Sequence, residues 1–403
     1  MRKIILTIVY FFLINFTFVN AQDEYIINYF RSFSYFEQKK YDSALFFINL
    51  ALSSKQKNTN LVIFKASILE QKKEYQKAIY ELKEIEKYNK KSIFLISRLY
   101  SILKMTDSSL FYLNKYLNTA NHLLKYQIVT DTAFDNIRQT LQWQEFWNKA
   151  KISSLSNQLN DAYFKFINSE YIEAIDICNR IIKSNSKYYP AYQLKAEILA
   201  KAGNYTQAAE NFDKAIQINP LDVDILNNAA FAYQKTKNYK KSVFYYSKSL
   251  NINVLQPKIY YNYSFCLNEN KQSNIALEKI EFYLNYFSID IEAKHLKIQI
   301  LINLGDYLQA LRLLNSMPKE EQKTAGFYFL RGQIYLQTKS YEQSYYNFSQ
   351  CLDMNPKYTE VYYYRGYSSF YLNNTAKACQ DWQQAIKNKD YRANEPFYKN
   401  CKE

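Results

Sequence analysis

The 403-residue sequence has only five glycines, six prolines and two histidines. Glycine and proline are the costliest residues in a helix interior, so their scarcity predicts a chain that is nearly all helix. The histidines, His122 and His295, stand far apart, and no HExxH, GxSxG or P-loop pattern accompanies them. This speaks against a histidine-based catalytic triad or zinc site. The five cysteines lack the paired, close spacing of a zinc-binding module. Asp381 and Glu210 fall at helical positions predicted to be exposed and solvated. With no catalytic constellation to hand, the expectation is a protein that is not an enzyme, with no cofactor and no metal.

What the sequence does contain is a pattern centred on Tyr189 to Pro220. Tyr192 and Ala196 lead into Gly203-Asn204-Tyr205, followed by Ala208, Phe212, Ala215 and Asn219-Pro220. This reads as two short helices joined by a turn. Two helices pack closely only where the side chains between their axes are small, and the alanines supply those gaps while Phe212 fills the remaining space. Gly203-Asn204 ends the first helix, because both residues tolerate left-handed backbone, and Pro220 stops the second. A single unit of this kind leaves an apolar face uncovered, so the pattern has to recur. Ala174, Ala208, Ser242, Ala276, Ala310, Ser344 and Ala378 follow one another at 34-residue steps. A second column, Tyr171, Tyr205, Tyr239, Tyr307 and Tyr341, keeps the same register and lapses at Ser273 and Thr375.

On these residues the chain resembles the tetratricopeptide repeat (TPR) family, most clearly at Tyr328, Arg331, Gly332, Tyr335, Tyr341, Ser344, Phe348, Asn355 and Pro356. Tyr362, Arg365, Gly366, Ala378, Trp382 and Ala385 repeat the match. The resemblance implies an all-α solenoid of helix-turn-helix repeats forming a right-handed superhelix, with a concave groove lined by the first helix of each repeat. Two positions of that helix commonly face the groove in the family. Here they are Asn227 and Phe231, Tyr261 and Phe265, His295 and Gln299, Phe329 and Gln333, and Tyr363 and Tyr367. Aromatic rings give contact area with few rotors to freeze, and amides can satisfy a peptide backbone. The implied partner is a peptide or helix segment of another protein, and the competing reading of the row is ordinary packing between helices. The lysines with which some family members clamp a terminal carboxylate are missing at these positions.

In chain order, residues 1–21 read as a secretory leader: Arg2 and Lys3, the apolar run Ile4 to Phe18, then a small residue at Ala21. Export to the periplasm or cell envelope follows as an expectation, and the exported bacterial type of TPR protein is the nearest resemblance. An array of about three repeats is expected over residues 25–120 and a capping spacer with Trp143 and Trp147 over 121–154. Seven repeats follow over 155–392, and a closing helix over 393–403. Cys178, Cys266 and Cys351 fall at or beside core positions, whereas Cys379 and Cys401 lie near the chain end and are the candidate disulfide in an oxidising compartment. The formal charge is +15, or +13 without Arg2 and Lys3, and its lysines are spread over many repeats. That spread argues against a nucleic-acid partner and leaves an anionic glycan or lipid surface as the alternative to a protein partner.

Overall fold

The computed structural model describes residues 21–55, 58–119, 125–150 and 152–401. The predicted leader lies outside the described residues except for Ala21, as does His122. Among the described residues the chain is helical, without a strand, and no helix is long and apolar enough to cross a membrane. It forms two compact units, the first ending at Ile259 and the second beginning at Tyr260.

In the first unit, antiparallel pairs run from Ala21–Glu37 with Tyr41–Ser54 to Val223–Lys235 with Tyr239–Ile252. Among the described residues between Thr106–Leu117 and Ser154–Ile167 stand the short helices Lys125–Val129 and Leu141–Lys149 and a 3-10 turn at Thr132–Phe134. Ile128, Phe134, Ile137 and Trp143 bury themselves there against Ile93, Phe94, Leu113 and Tyr116, and Trp147 packs at the edge of the same cluster. Asp131 fastens the segment by accepting from Arg98 Nε at 2.7 Å. In the second unit the pairs continue through Ala325–Gln337 with Tyr341–Met354 and Val361–Tyr371 with Thr375–Lys387, and the short helix Asn394–Asn400 follows.

One crossing recurs in several pairs. A small residue of the first helix meets a large one sixteen residues later, and both are buried: Ala196 and Phe212, Ser264 and Ile280, Gly332 and Phe348, Gly366 and Trp382. At two crossings the small residue is glycine, facing Phe348 and Trp382. A Cβ added at Gly332 would lie 2.7 Å from the Phe348 ring, and one at Gly366 2.5 Å from Trp382 Nε1. At the recurring small position of the second helix, serine bonds its hydroxyl to the facing helix backbone. Ser242 Oγ donates to Ala230 O at 2.8 Å and Ser344 Oγ to Gly332 O at 3.0 Å. Serine therefore substitutes for alanine in this column without leaving a buried polar group unpaired.

Beside the crossing lies a polar pair with the same spacing. Lys65 meets Glu81 at 2.6 Å, Arg331 Nε donates to Asn347 Oδ1 at 2.5 Å, and Arg365 holds Asp381 through two bonds of 2.7 and 3.0 Å. This corrects the reading of Asp381 as an exposed, solvated carboxylate. It is only 6% exposed, because its position faces the preceding helix and its charge is met there by Arg365. Glu210 is exposed.

The turn between the helices of a pair is equally regular. Ser169, Gly203, Lys237, Lys271, Gly305, Lys339 and Asn373 all have φ between 59° and 82°. Where Asn or Asp follows, it starts the second helix by accepting from the backbone three residues on, as Asn204 does from Gln207 N at 3.3 Å and Asp306 from Gln309 N at 3.1 Å. Only two of these left-handed residues are glycine, so the others carry a steric cost.

Two outcomes follow for chemical denaturation. Gly366→Ala should destabilise the second unit by about 1–3 kcal/mol through overpacking against Trp382. Lys237→Gly and Lys339→Gly should each stabilise by about 0.5–1 kcal/mol, relief of left-handed strain outweighing the greater freedom of the unfolded chain.

Candidate peptide-binding face

The predicted contact row divides between the units. In the first, Asn227 donates from Nδ2 to Gln256 Oε1 at 2.7 Å, so half its amide is already engaged. Phe231 is 39% exposed, with Tyr205 edge-on at 6.2 Å and the Lys235 ammonium 5.1 Å from its ring centre.

In the second unit, Tyr261 and Phe265 are half-buried on the helix Pro257–Glu269. Burial pushes the Tyr261 hydroxyl pKa up, and the charges of Glu292 and Asp290 push it further. His295 Nε2 lies 3.2 Å from Glu321 Oε1, and Gln299 donates to Asn303 at 3.4 Å. Tyr363 and Tyr367 are half-buried with their rings edge-to-face at 5.2 Å, and the Arg392 guanidinium lies 4.8 Å from the Tyr363 centre. Burial lifts the Tyr363 hydroxyl to about 12, so it remains a donor at every physiological pH.

Two members of the row sit deeper than predicted. Phe329 is 5% exposed and packs on Phe348, Tyr358 and Tyr364, with ring centres 6.1, 4.8 and 5.7 Å away. It belongs to the core because the loop residue Tyr358 closes over it. Gln333 is 6% exposed and bonds to Tyr364. Its Oε1 has no hydrogen-bond partner.

The structure also brings in residues that the aromatic pattern did not reveal. Glu360 precedes the helix Val361–Tyr371, and Arg392 Nη2 lies 3.6 Å from it and 2.6 Å from Asp390. Burial raises the Glu360 pKa, and although Arg392 opposes this, Asp390 and Glu269 add to it. Burial likewise raises Tyr358, followed by Glu360 and by other groups that include Glu292. The signal available in the sequence was the 34-residue register itself, which puts Asp224, Glu292 and Glu360 at one repeat position. The first unit has an acidic counterpart: a cleft of 430 Å³ lined in part by Tyr163, Tyr188, Tyr189, Glu197 and Asp224.

Cys379 and Cys401 are joined by a disulfide with Cα atoms 5.6 Å apart, tying the helix Asn394–Asn400 to Thr375–Lys387. Cys178, Cys266 and Cys351 are free and buried, and burial pushes the thiols of Cys178 and Cys351 up to about 12.

Such a molecule, built of stacked helix pairs, is a helical repeat protein. Residues 196–237 match the TPR repeat model, and residues 223–253 and 325–358 match the tetratricopeptide repeat model. The chain thus carries tetratricopeptide repeats, and these support a scaffold for protein–protein interaction. No curated protein matches the sequence. Solved structures with similarity include a tetratricopeptide repeat protein from Parabacteroides merdae, at 13% identity and TM-score 0.39, covering 68% of this chain and 98% of that one. Yeast Tom70 is 11% identical at TM-score 0.36, covering 94% and 96% respectively. YrrB, described as a TPR protein with an unusual peptide-binding site, is 17% identical at TM-score 0.29, covering 55% and 97%.

A thiol reagent distinguishes the bonded cysteines from the buried thiols. The native chain should react with none of its cysteines at pH 8, the denatured chain with the three free ones, and the denatured, reduced chain with all five. Asp381→Ala, which strands Arg365, should cost about 3 kcal/mol in chemical denaturation.

Proposed function

We propose that this protein is a non-enzymatic scaffold of the cell envelope that holds a peptide or helix segment of another protein on the first helices of its second unit. The carrying observation is the half-buried row Tyr261, Phe265, Tyr363 and Tyr367, whose side chains stay partly exposed on the first helices. Rings held in place by neighbours, such as Tyr367 against Trp382 at 5.3 Å, lose little conformational freedom when a partner covers them. Asn303, which bonds to Asn268 at 3.1 Å, and Gln299 offer amide groups along the same helices for an extended backbone. Two features support the envelope setting: the leader pattern of residues 1–21, and a disulfide of the kind that persists in oxidising compartments.

The test is an affinity capture from envelope extract with the chain and with a Tyr261→Ala, Phe265→Ala, Tyr367→Ala variant of equal helicity. The reading requires a protein retained by the first and lost by the second. Equal retention would move the contact surface elsewhere.

A further inference from the structure

In the first unit the repeat pattern and a cavity coincide. The cleft there has a volume of 430 Å³, and Leu159, Tyr163, Gln193 and Glu197 lie along it. These residues stand 34 and 68 positions before Asn227 and Phe231, so the consecutive first helices Ser154–Ile167 and Tyr189–Lys201 turn their two groove-facing positions toward one space. A space of this size accepts a side chain or a small molecule rather than a helix.

Its charge is lopsided. Glu197, Asp222 and Asp224 line it, and among the described lining residues the only cation is Lys90. Asp222 is already engaged as a helix cap, accepting from Asp224 N at 3.1 Å, Ile225 N at 3.2 Å and Asn219 Nδ2 at 3.3 Å. Glu197 is different. It sits in mid-helix, half-buried, and accepts from Gln193 Nε2 at 3.0 Å. None of the three carboxylates has an ion-pair partner among the described residues, although the charge of Lys91 reaches Asp224. Burial raises the Glu197 pKa; Gln193 opposes this, and Asp224 and Asp222 add to it, so the charged form bears a cost that a cation in the cleft would relieve.

Tyr163, Tyr188 and Tyr189 also line the cleft. Burial raises the hydroxyl pKa of Tyr188 and Tyr189, so both stay neutral and add aromatic surface rather than charge. Rings and carboxylates together already seat a guanidinium elsewhere in this chain. Arg392 lies 4.8 and 5.4 Å from the ring centres of Tyr363 and Tyr364 while it pairs with Glu360 and Asp390.

We propose that the cleft of the first unit takes one organic cation, a guanidinium or ammonium group on an alkyl stem, with its charge against Glu197 and its stem among the tyrosines. Two sources share that chemistry: a free amine, and the side chain of an arginine or lysine in a polypeptide. The site lies wholly in the first unit, so it goes beyond the contact surface proposed above and does not depend on it.

Isothermal titration calorimetry of the full-length chain with agmatine, and with an arginine-centred tripeptide blocked at both ends, tests this. At least one should bind, more weakly as salt rises, and Glu197→Gln should lower its affinity about tenfold without loss of helicity. Asp224→Asn, at an exposed site, should lower it about threefold. Glu210→Gln, exposed on the second helix of the same repeat, should leave it unchanged. Tighter binding of the tripeptide would assign the cleft to a polypeptide side chain, and tighter binding of agmatine to a free amine. No binding of either at millimolar concentration, or equal affinity in the native chain and both carboxylate variants, would overturn the proposal. The Tyr261→Ala, Phe265→Ala, Tyr367→Ala variant should bind the cation as the native chain does, which keeps this result separate from capture of a partner by the second unit.

Discussion

Everything else in this structure depends on the close approach of two helices at a small residue. The separation of helix axes within a pair is set by what stands between them, and the chain holds it by matching sizes: alanine against Phe212, glycine against Phe348 and Trp382, serine against Ile280. Once that separation is fixed, a cation of the first helix comes within reach of an acceptor on the second, as Arg365 does with Asp381. The left-handed turn residue then recurs at the same place, even where lysine must adopt it. Pairs built alike can stack, and each covers the apolar side that its neighbour leaves open.

The consequence for function is a division of roles between the helices of a pair. Second helices give their large side chains to the crossings, so Phe212, Phe348 and Trp382 are buried. The first helices contribute small residues there and keep other positions partly exposed, among them Tyr261, Phe265, Tyr363 and Tyr367. Charge meets those rings at one place: Arg392 pairs with Glu360 and Asp390 while its guanidinium lies over Tyr363.

The fold was legible because its signal is periodic. A 34-residue recurrence of small residues, with an aromatic at a fixed distance, encodes the crossing directly. The site was legible only in outline, because exposure depends on what a neighbouring segment does. Phe329 follows the same repeat position as Tyr261 and Tyr363, but Tyr358 closes over it and puts it in the core. Asp381 looked solvated because its partner is sixteen residues away on another helix, a spacing that carries meaning only once the crossing geometry is known. Glu269, Glu292 and Glu360 carry no signal of their own in the sequence, because acids near helix ends are ordinarily solvated.

The central claim is that the first helices of the second unit are the contact surface, and hydrogen–deuterium exchange on the chain with and without a protein partner captured from envelope extract addresses it most directly. Slowed exchange should concentrate in Ile291–Leu304, Ala325–Gln337 and Val361–Tyr371. Protection confined to the second helices Tyr307–Asn315 and Tyr341–Met354 would contradict the account.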